Sequence, residues 1–169
     1  MRYFVTGATG FVGGRVASQL REAGHEVVAV VRTPAKATEL LKLGVTVVQG
    51  DVTDKASMKA PMTGVDGVFH IAGWYKVGAG RAAGAEGQAI NVDGTRNVLE
   101  LMEELGTPRG VYTSTLAVNS DTHGKEVDES YHFTGKHLSE YDRTKAEAHA
   151  VAEQFITKGL PLVVLMPGL

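Results

Sequence analysis

The chain has 169 residues, 43% hydrophobic and 21% charged, which is enough for one domain with a sizeable core. Its net charge of −2, with no run of like charges, leaves no electrostatic footprint for nucleic acid or an anionic membrane surface. The lack of cysteine excludes disulfides, thiolate catalysis and cysteine-based zinc sites. No apolar run approaches membrane-spanning length, and the start is too short for a signal-peptide core. A cytoplasmic location is the expectation.

Short apolar runs alternate with longer helical patterns. Residues 3–5 read as a first strand and 11–23 as a helix ended by Gly24. Residues 25–31 read as a second strand, 34–43 as a helix stopped by Gly44, and 45–48 as a third strand. A short helix capped by Thr53 or Asp54 follows, then a fourth strand at 67–71 and a long helix at 88–105 closed by Gly106. A fifth strand at 110–113, a second long helix at 139–158 and a sixth strand at 162–165 complete the pattern. The Val-rich strands suit a parallel sheet buried on both faces. The repeated strand–helix alternation predicts an α/β fold: a doubly wound, mostly parallel sheet with helices on both faces, in one domain over residues 1–169. Of the 21 glycines, those within 78–87 suggest a mobile loop. The chain stops directly after an apolar strand, at Pro167-Gly168-Leu169, which suggests the first part of something longer.

Between the first strand and first helix lies Thr6-Gly7-Ala8-Thr9-Gly10-Phe11-Val12-Gly13. Gly7 suits a tight turn, Gly10 lets backbone approach phosphate, and Gly13 lets helix pack on strand. The helix start then offers free N–H groups and partial positive charge to a dinucleotide pyrophosphate. The spacing is GxxGxxG, a departure from GxGxxG. A carboxylate about 20 residues further on would hold the ribose 2′-hydroxyl of NAD. Arg32 stands there instead, with Lys36 one turn on. A guanidinium suits a 2′-phosphate, so NADP is favoured, with NAD possible. Asp51 is open to two readings, a ligand of the adenine amino group or a turn residue.

Among the five tyrosines only Tyr141 is followed four residues later by a lysine, Lys145. On a helix both side chains share a face. A nearby ammonium favours the phenolate, lowering a pKa normally about 10, so Tyr141 can serve as acid or base at a carbinol oxygen. The fifth strand ends in Thr113-Ser114-Thr115, hydroxyls at the sheet edge where ligands bind.

Together these segments resemble the extended short-chain dehydrogenase/reductase family, also called the NAD-dependent epimerase/dehydratase family, in its dihydroflavonol-reductase-like branch. The resemblance rests on the glycine segment, Gly50-Asp51-Val52-Thr53-Asp54, Val68-Phe69-His70-Ile71-Ala72, Asn91 to Asn97, Val111 to Thr115, and Tyr141-Asp142-Arg143-Thr144-Lys145, all in family order. It implies a Rossmann fold with Thr115 binding the substrate oxygen, Tyr141 as acid/base, and Lys145 holding the nicotinamide ribose and lowering the Tyr141 pKa. Asn91 would order the active-site helix. The implied cofactor contacts are Gly7, Thr9, Gly10, Phe11, Val12 and Gly13 on the turn, with Arg32, Lys36, Asp51 and Val52 towards the adenosine. His70 and Ala72 would line the cofactor, Pro167 and Gly168 would approach the nicotinamide carboxamide, and Tyr141 and Lys145 would complete the set. The implied activity is hydride transfer between NADP and a small-molecule carbonyl or secondary alcohol. Nucleotide-sugar epimerase or dehydratase chemistry is the alternative, and a non-catalytic cofactor-binding module or fragment is the second. The substrate-binding portion that follows the Pro-Gly in extended members has no counterpart here.

Three weaker features remain. Trp74 and Tyr75 read as a pocket wall or as a partly exposed aromatic loop. His123, His132 and His137 lack the spacing of a metal site, and no metal is expected. The helices 88–105 and 139–158 resemble those that pair two subunits, so a homodimer is expected; their apolar stripes could instead cover the sheet.

Overall fold

The computed structural model describes residues 1–76 and 84–168. Six strands form one sheet: β1 (Arg2–Thr6), β2 (Glu26–Val31), β3 (Thr46–Gln49), β4 (Gly67–His70), β5 (Gly110–Thr113) and β6 (Leu162–Leu165). The helices are α1 (Phe11–Glu22), α2 (Thr38–Lys42), α3 (Lys55–Met62), α4 (Gly84–Gly87), α5 (Gly94–Leu105) and α6 (Glu140–Thr157). A π-helical turn, Gln88–Asp93, joins α4 to α5. Every strand pairing is parallel, in the order β3-β2-β1-β4-β5-β6. The chain winds outward from β1 to β3, then returns to lay β4 on the other side of β1. Such a reversal splits the connections leaving two neighbouring strands and opens a crevice at their carboxyl ends.

Strand alternation feeds two cores. Phe4, Val28, Val30, Val68 and Tyr112 face one side, where they meet buried residues of α3, α5 and α6. Val5, Val27, Ala29 and Val31 face the other, under Ala17 of α1 and Leu40 of α2. On α5, Val98, Leu99, Leu101 and Met102 are buried, and on α6 Ala148, Val151, Ala152 and Phe155. Those apolar stripes cover the sheet. Asp54 caps α3 by accepting from the Ala56 and Ser57 amides, and Gly106 ends α5 in left-handed geometry.

Two helices differ from the sequence pattern. The stretch 34–43 breaks into a 3-10 turn, Pro34–Lys36, and the short α2, because the buried Ala37 between them leaves helical geometry at φ −97°, ψ 30°. The long helix starts earlier than 88, and its first part is π-helical. The loop expected at 78–87 falls outside the described residues up to 83; its remainder is α4. Among the described residues, no helix is long and apolar enough to cross a membrane.

One polar seam runs through the core at the carboxyl ends of β1 and β4. The Thr6 hydroxyl oxygen accepts from the Ile71 and Ala72 amides at 3.0 and 3.1 Å, filling both lone pairs. Its proton is therefore directed to His70 Nδ1, 2.8 Å away. His70 must then carry its own proton on Nε2, which donates to Thr95 Oγ1 at 3.0 Å. The ring is fully buried. Burial, reinforced by the charge of Lys145, pushes its pKa down to about 3. In the unfolded chain the same ring takes a proton below its ordinary value near 6.5. Stability should therefore fall as pH drops from about 6.5 towards about 3. Denaturant midpoints measured from pH 7 to pH 4 should decline for the wild type, and the decline should be shallower in His70→Asn. Equal slopes would refute a neutral buried imidazole. Leu99→Ala, which empties a fully buried site between α5 and the sheet, should cost about 2–5 kcal/mol in the same assay.

Candidate active site

The site begins where β1 gives way to α1. Gly7 has φ +72°, and a Cβ there would lie 2.7 Å from the Ala72 amide nitrogen. The Gly10 amide closes the turn on the Gly7 carbonyl at 2.9 Å. A Cβ on Gly13 would collide with the Gly7 carbonyl, so α1 can sit this close to the turn only with glycine there. Gly10 is the N-cap of α1, in extended geometry, and no side chain caps the helix. The first amides of α1 thus keep their positive partial charge for a ligand.

In front of that helix end lies a cleft of about 600 Å³. Gly7, Thr9, Gly10, Phe11, Val12 and Gly13, the turn residues that the resemblance assigns to the cofactor, form one wall. Ala72, Gly73, Tyr75 and Ile90 face them, and Thr113 closes one end. Gly73, Ile90 and Thr113 were not singled out by the sequence as cofactor contacts. They come from three separate segments and share no spacing that would have linked them.

At the other end stand Arg32, Asp51 and Val52. Arg32 and Asp51 also line a smaller adjoining cavity of about 440 Å³, together with Gln49, Gly50, Asp54 and Ser57. Asp51 is a turn residue that also borders the cleft. Its carboxylate accepts from the amide and hydroxyl of Thr53, each at 2.9 Å, while the residue borders both cavities. Lys36 stands exposed on the 3-10 turn and lines neither cavity.

Tyr141 lies in the first turn of α6, whose start Ser139 caps by accepting from the Asp142 amide. The Tyr75 ring meets the Tyr141 ring edge-on, with centroids 4.8 Å apart, which links Tyr141 to the cleft wall. Tyr75 is therefore the pocket wall of the two readings, whereas Trp74 is buried, its indole N–H donating to Glu86 at 3.0 Å. Thr115 neighbours Tyr141 and caps a 3-10 turn, Leu116–Asn119, through the Ala117 amide. Burial raises the Tyr141 pKa above its ordinary value, and the Thr115 hydroxyl pulls weakly the other way.

This corrects the sequence expectation that Lys145 lowers the Tyr141 pKa. The two share a helix face, but the Lys145 ammonium is buried and turned to the sheet. It donates to Tyr112 Oη at 3.0 Å and to the Thr113 carbonyl at 2.8 Å. Burial brings its own pKa down to about 8. His70 is a second correction: bound between Thr6 and Thr95 inside the core, it does not line the cleft, although Ala72 does. Pro167 and Gly168 also stay away from the described lining; the Pro167 carbonyl accepts from the Leu116 amide at 3.2 Å.

Asn91 is buried on the π-helical turn. Its Oδ1 accepts from the Trp74 amide at 2.7 Å, and its Nδ2 donates to Thr144 Oγ1 at 2.9 Å. It therefore ties the end of β4 to α6 one residue before Lys145. His123 pairs with Asp121, His132 lies 4.0 Å from Glu153, and His137 packs on Phe133. Among the described residues no group of three His, Asp or Glu side chains could hold a metal ion.

This sequence and this fold have parallels among known proteins. The sequence profile of the NAD dependent epimerase/dehydratase family matches residues 3–169. A protein of Synechocystis sp. named for dihydroflavonol 4-reductase is 34% identical over 171 residues, covering 98% of this chain and 48% of that protein. The 4-hydroxy-2-methyl-3-oxo-4-farnesyl-3,4-dihydroquinoline-1-oxide ketoreductase of Stigmatella aurantiaca is 34% identical, covering 99% and 49%. The crystal structure of a short-chain dehydrogenase/reductase superfamily protein from Agrobacterium tumefaciens with bound NAD superposes with a TM-score of 0.81 at 25% identity, covering 98% and 48%. The chain spans about half the length of the curated relatives it matches. With its glycine turn, its sheet order and this match along its length, the chain belongs to the NAD-dependent epimerase/dehydratase family, the extended short-chain dehydrogenase/reductases.

Proposed function

We propose that the chain is the cofactor-binding half of an NADP-dependent oxidoreductase acting on a small-molecule carbonyl or secondary alcohol. The observation that carries this reading is the single cleft running from the uncapped start of α1 to Tyr75 and Thr113, beside Tyr141. Its volume and lining suit a dinucleotide. A Cβ at Gly7 or Gly13 would fill the cradle, and the α1 amides favour a pyrophosphate. Arg32, exposed at the end of β2 and bordering both cavities, would hold a 2′-phosphate. When bound, the nicotinamide supplies or accepts a hydride.

The chain's own groups handle the oxygen. Thr115 orients the substrate carbonyl by donating its hydroxyl proton, and Tyr141 transfers a proton to that oxygen as hydride arrives at carbon. Tyr141 is protonated at neutral pH like any phenol, and burial raises its pKa further, which favours an acid role in the direction of reduction. Lys145 keeps positive charge under this end of the cleft through Tyr112 and Thr113. Epimerase and dehydratase chemistry would use the same first step, and product analysis separates them. A homodimer through α5 and α6 would have to use their outer faces, which are largely polar, since the apolar stripes cover the sheet. Sedimentation tests that point. A cytoplasmic setting agrees with the composition and remains part of the proposal.

Calorimetric titration should show NADPH binding more tightly than NADH. Arg32→Gln should weaken NADPH by about 10-fold to 100-fold, the loss of a charge-assisted contact, and leave NADH within about 2-fold. Equal loss for both would remove Arg32 as a 2′-phosphate ligand. In a panel of ketones and aldehydes, Tyr141→Phe should lower kcat by about 10²- to 10⁴-fold with little change in NADPH affinity. Full turnover in that variant would refute the acid role. Binding without turnover of any carbonyl by the wild type would favour the non-catalytic module.

A further inference from the structure

The Lys145 side chain is buried, and burial alone accounts for the fall in its pKa; among the described residues no carboxylate compensates its charge. Its hydrogen bonds go to one backbone carbonyl and one side chain, Tyr112 Oη. The ammonium also lies 4.7 Å from the centre of the Tyr112 ring. The same ring stacks on His70, with centroids 5.4 Å apart and planes 19° from parallel. Thr95, which receives the His70 Nε2 proton, lies near the Tyr112 phenol, and its hydroxyl opposes the rise in that phenol's pKa. The seam that starts at Thr6, the residue before the glycine turn, therefore continues through His70, stacked on the Tyr112 ring, and ends on Lys145.

We propose that Tyr112 is the positioning residue for Lys145, its hydroxyl holding the ammonium at the foot of the cleft and the His70–Thr95 pair fixing that hydroxyl in turn. The role differs from that of Tyr141. Burial raises the Tyr112 phenol well above its ordinary pKa, so it stays a neutral acceptor and moves no proton. Among the described residues, the titratable groups that face Lys145 are Tyr112 on β5, His70 on β4 and His149 on its own helix, while Tyr141 acts on Tyr112. Of these, His70 is held neutral and His149 has its pKa lowered by burial. The Tyr112 hydroxyl is thus the one side-chain dipole among them bonded to the ammonium. It also lies within the same strand as Thr113, whose carbonyl supplies the second bond, so β5 sets the ammonium in two directions at once.

This inference rests on the proposed function only for its consequence, the placing of charge beneath the nicotinamide end. Its test does not. The ε-methylene signal of Lys145, followed by heteronuclear NMR against pH in the whole 169-residue chain, should titrate near 8 in the wild type. Tyr112→Phe keeps the ring, its stack on His70 and its face towards the ammonium, and removes only the oxygen. The midpoint should then drop by about one unit, the tenfold change that a charge-assisted hydrogen bond supplies. Thr95→Val, which leaves Tyr112 intact, should move it the same way by less and serves if Tyr112→Phe does not fold. An unmoved midpoint in either folded variant overturns the positioning role. A shifted midpoint in a chain that binds no NADPH upholds Tyr112 and overturns the reading of the site.

Discussion

The approach of Gly13 to the Gly7 carbonyl, and of Gly7 to the Ala72 amide, sets the position of everything else around the cleft. The first contact determines how near α1 comes to β1, and so where its unpaired amides point. The second brings the loop after β4 against the turn after β1, and this loop forms the opposite wall. Neither approach tolerates a Cβ, and both occur where the sheet order reverses between β1 and β4. Helix dipole, turn and crevice thus coincide because two glycines let backbone meet backbone.

Thr6 makes that arrangement rigid from below. Its hydroxyl oxygen takes the Ile71 and Ala72 amides, which would otherwise be unpaired in the loop after β4. The remaining proton commits His70 to one tautomer, and His70 commits Thr95. A buried polar chain of this kind is costly if broken and specific if complete. Here it runs between the turn that would seat a pyrophosphate and Lys145, on the same helix as the proposed acid/base Tyr141. The two ends of the proposed reaction are therefore joined through the core of the protein as well as along the cleft.

Much of this was legible in the sequence, and the failures have physical reasons. Strand identity followed from short Val-rich runs, and the GxxGxxG spacing located the turn, since few other arrangements require glycine at those positions. The four-residue spacing of Tyr141 and Lys145 correctly put them on one face of α6. It could not show that the ammonium would turn to a hydroxyl on a strand 33 residues earlier. His70 was taken for a cleft residue because it sits at a strand end in a family-like segment. Alternation along a strand says that neighbours face opposite ways, not which way either faces, and the core side claimed it. Asn91 was read as ordering the helix that carries Tyr141 and Lys145; its hydrogen bond does reach α6, through Thr144, which was hidden among ordinary helix residues. The apolar stripes of α5 and α6 fitted a dimer interface or the sheet equally well by periodicity; the fold places them against the sheet.

The central claim is that the amides opening α1 are an anion seat. Two-dimensional NMR of the chain during addition of NADPH tests it most directly. The account predicts that the backbone amides of Phe11, Val12 and Gly13 shift most, in step with saturation, together with Ala72 across the cleft. Saturable binding that leaves these four amides unmoved would contradict it.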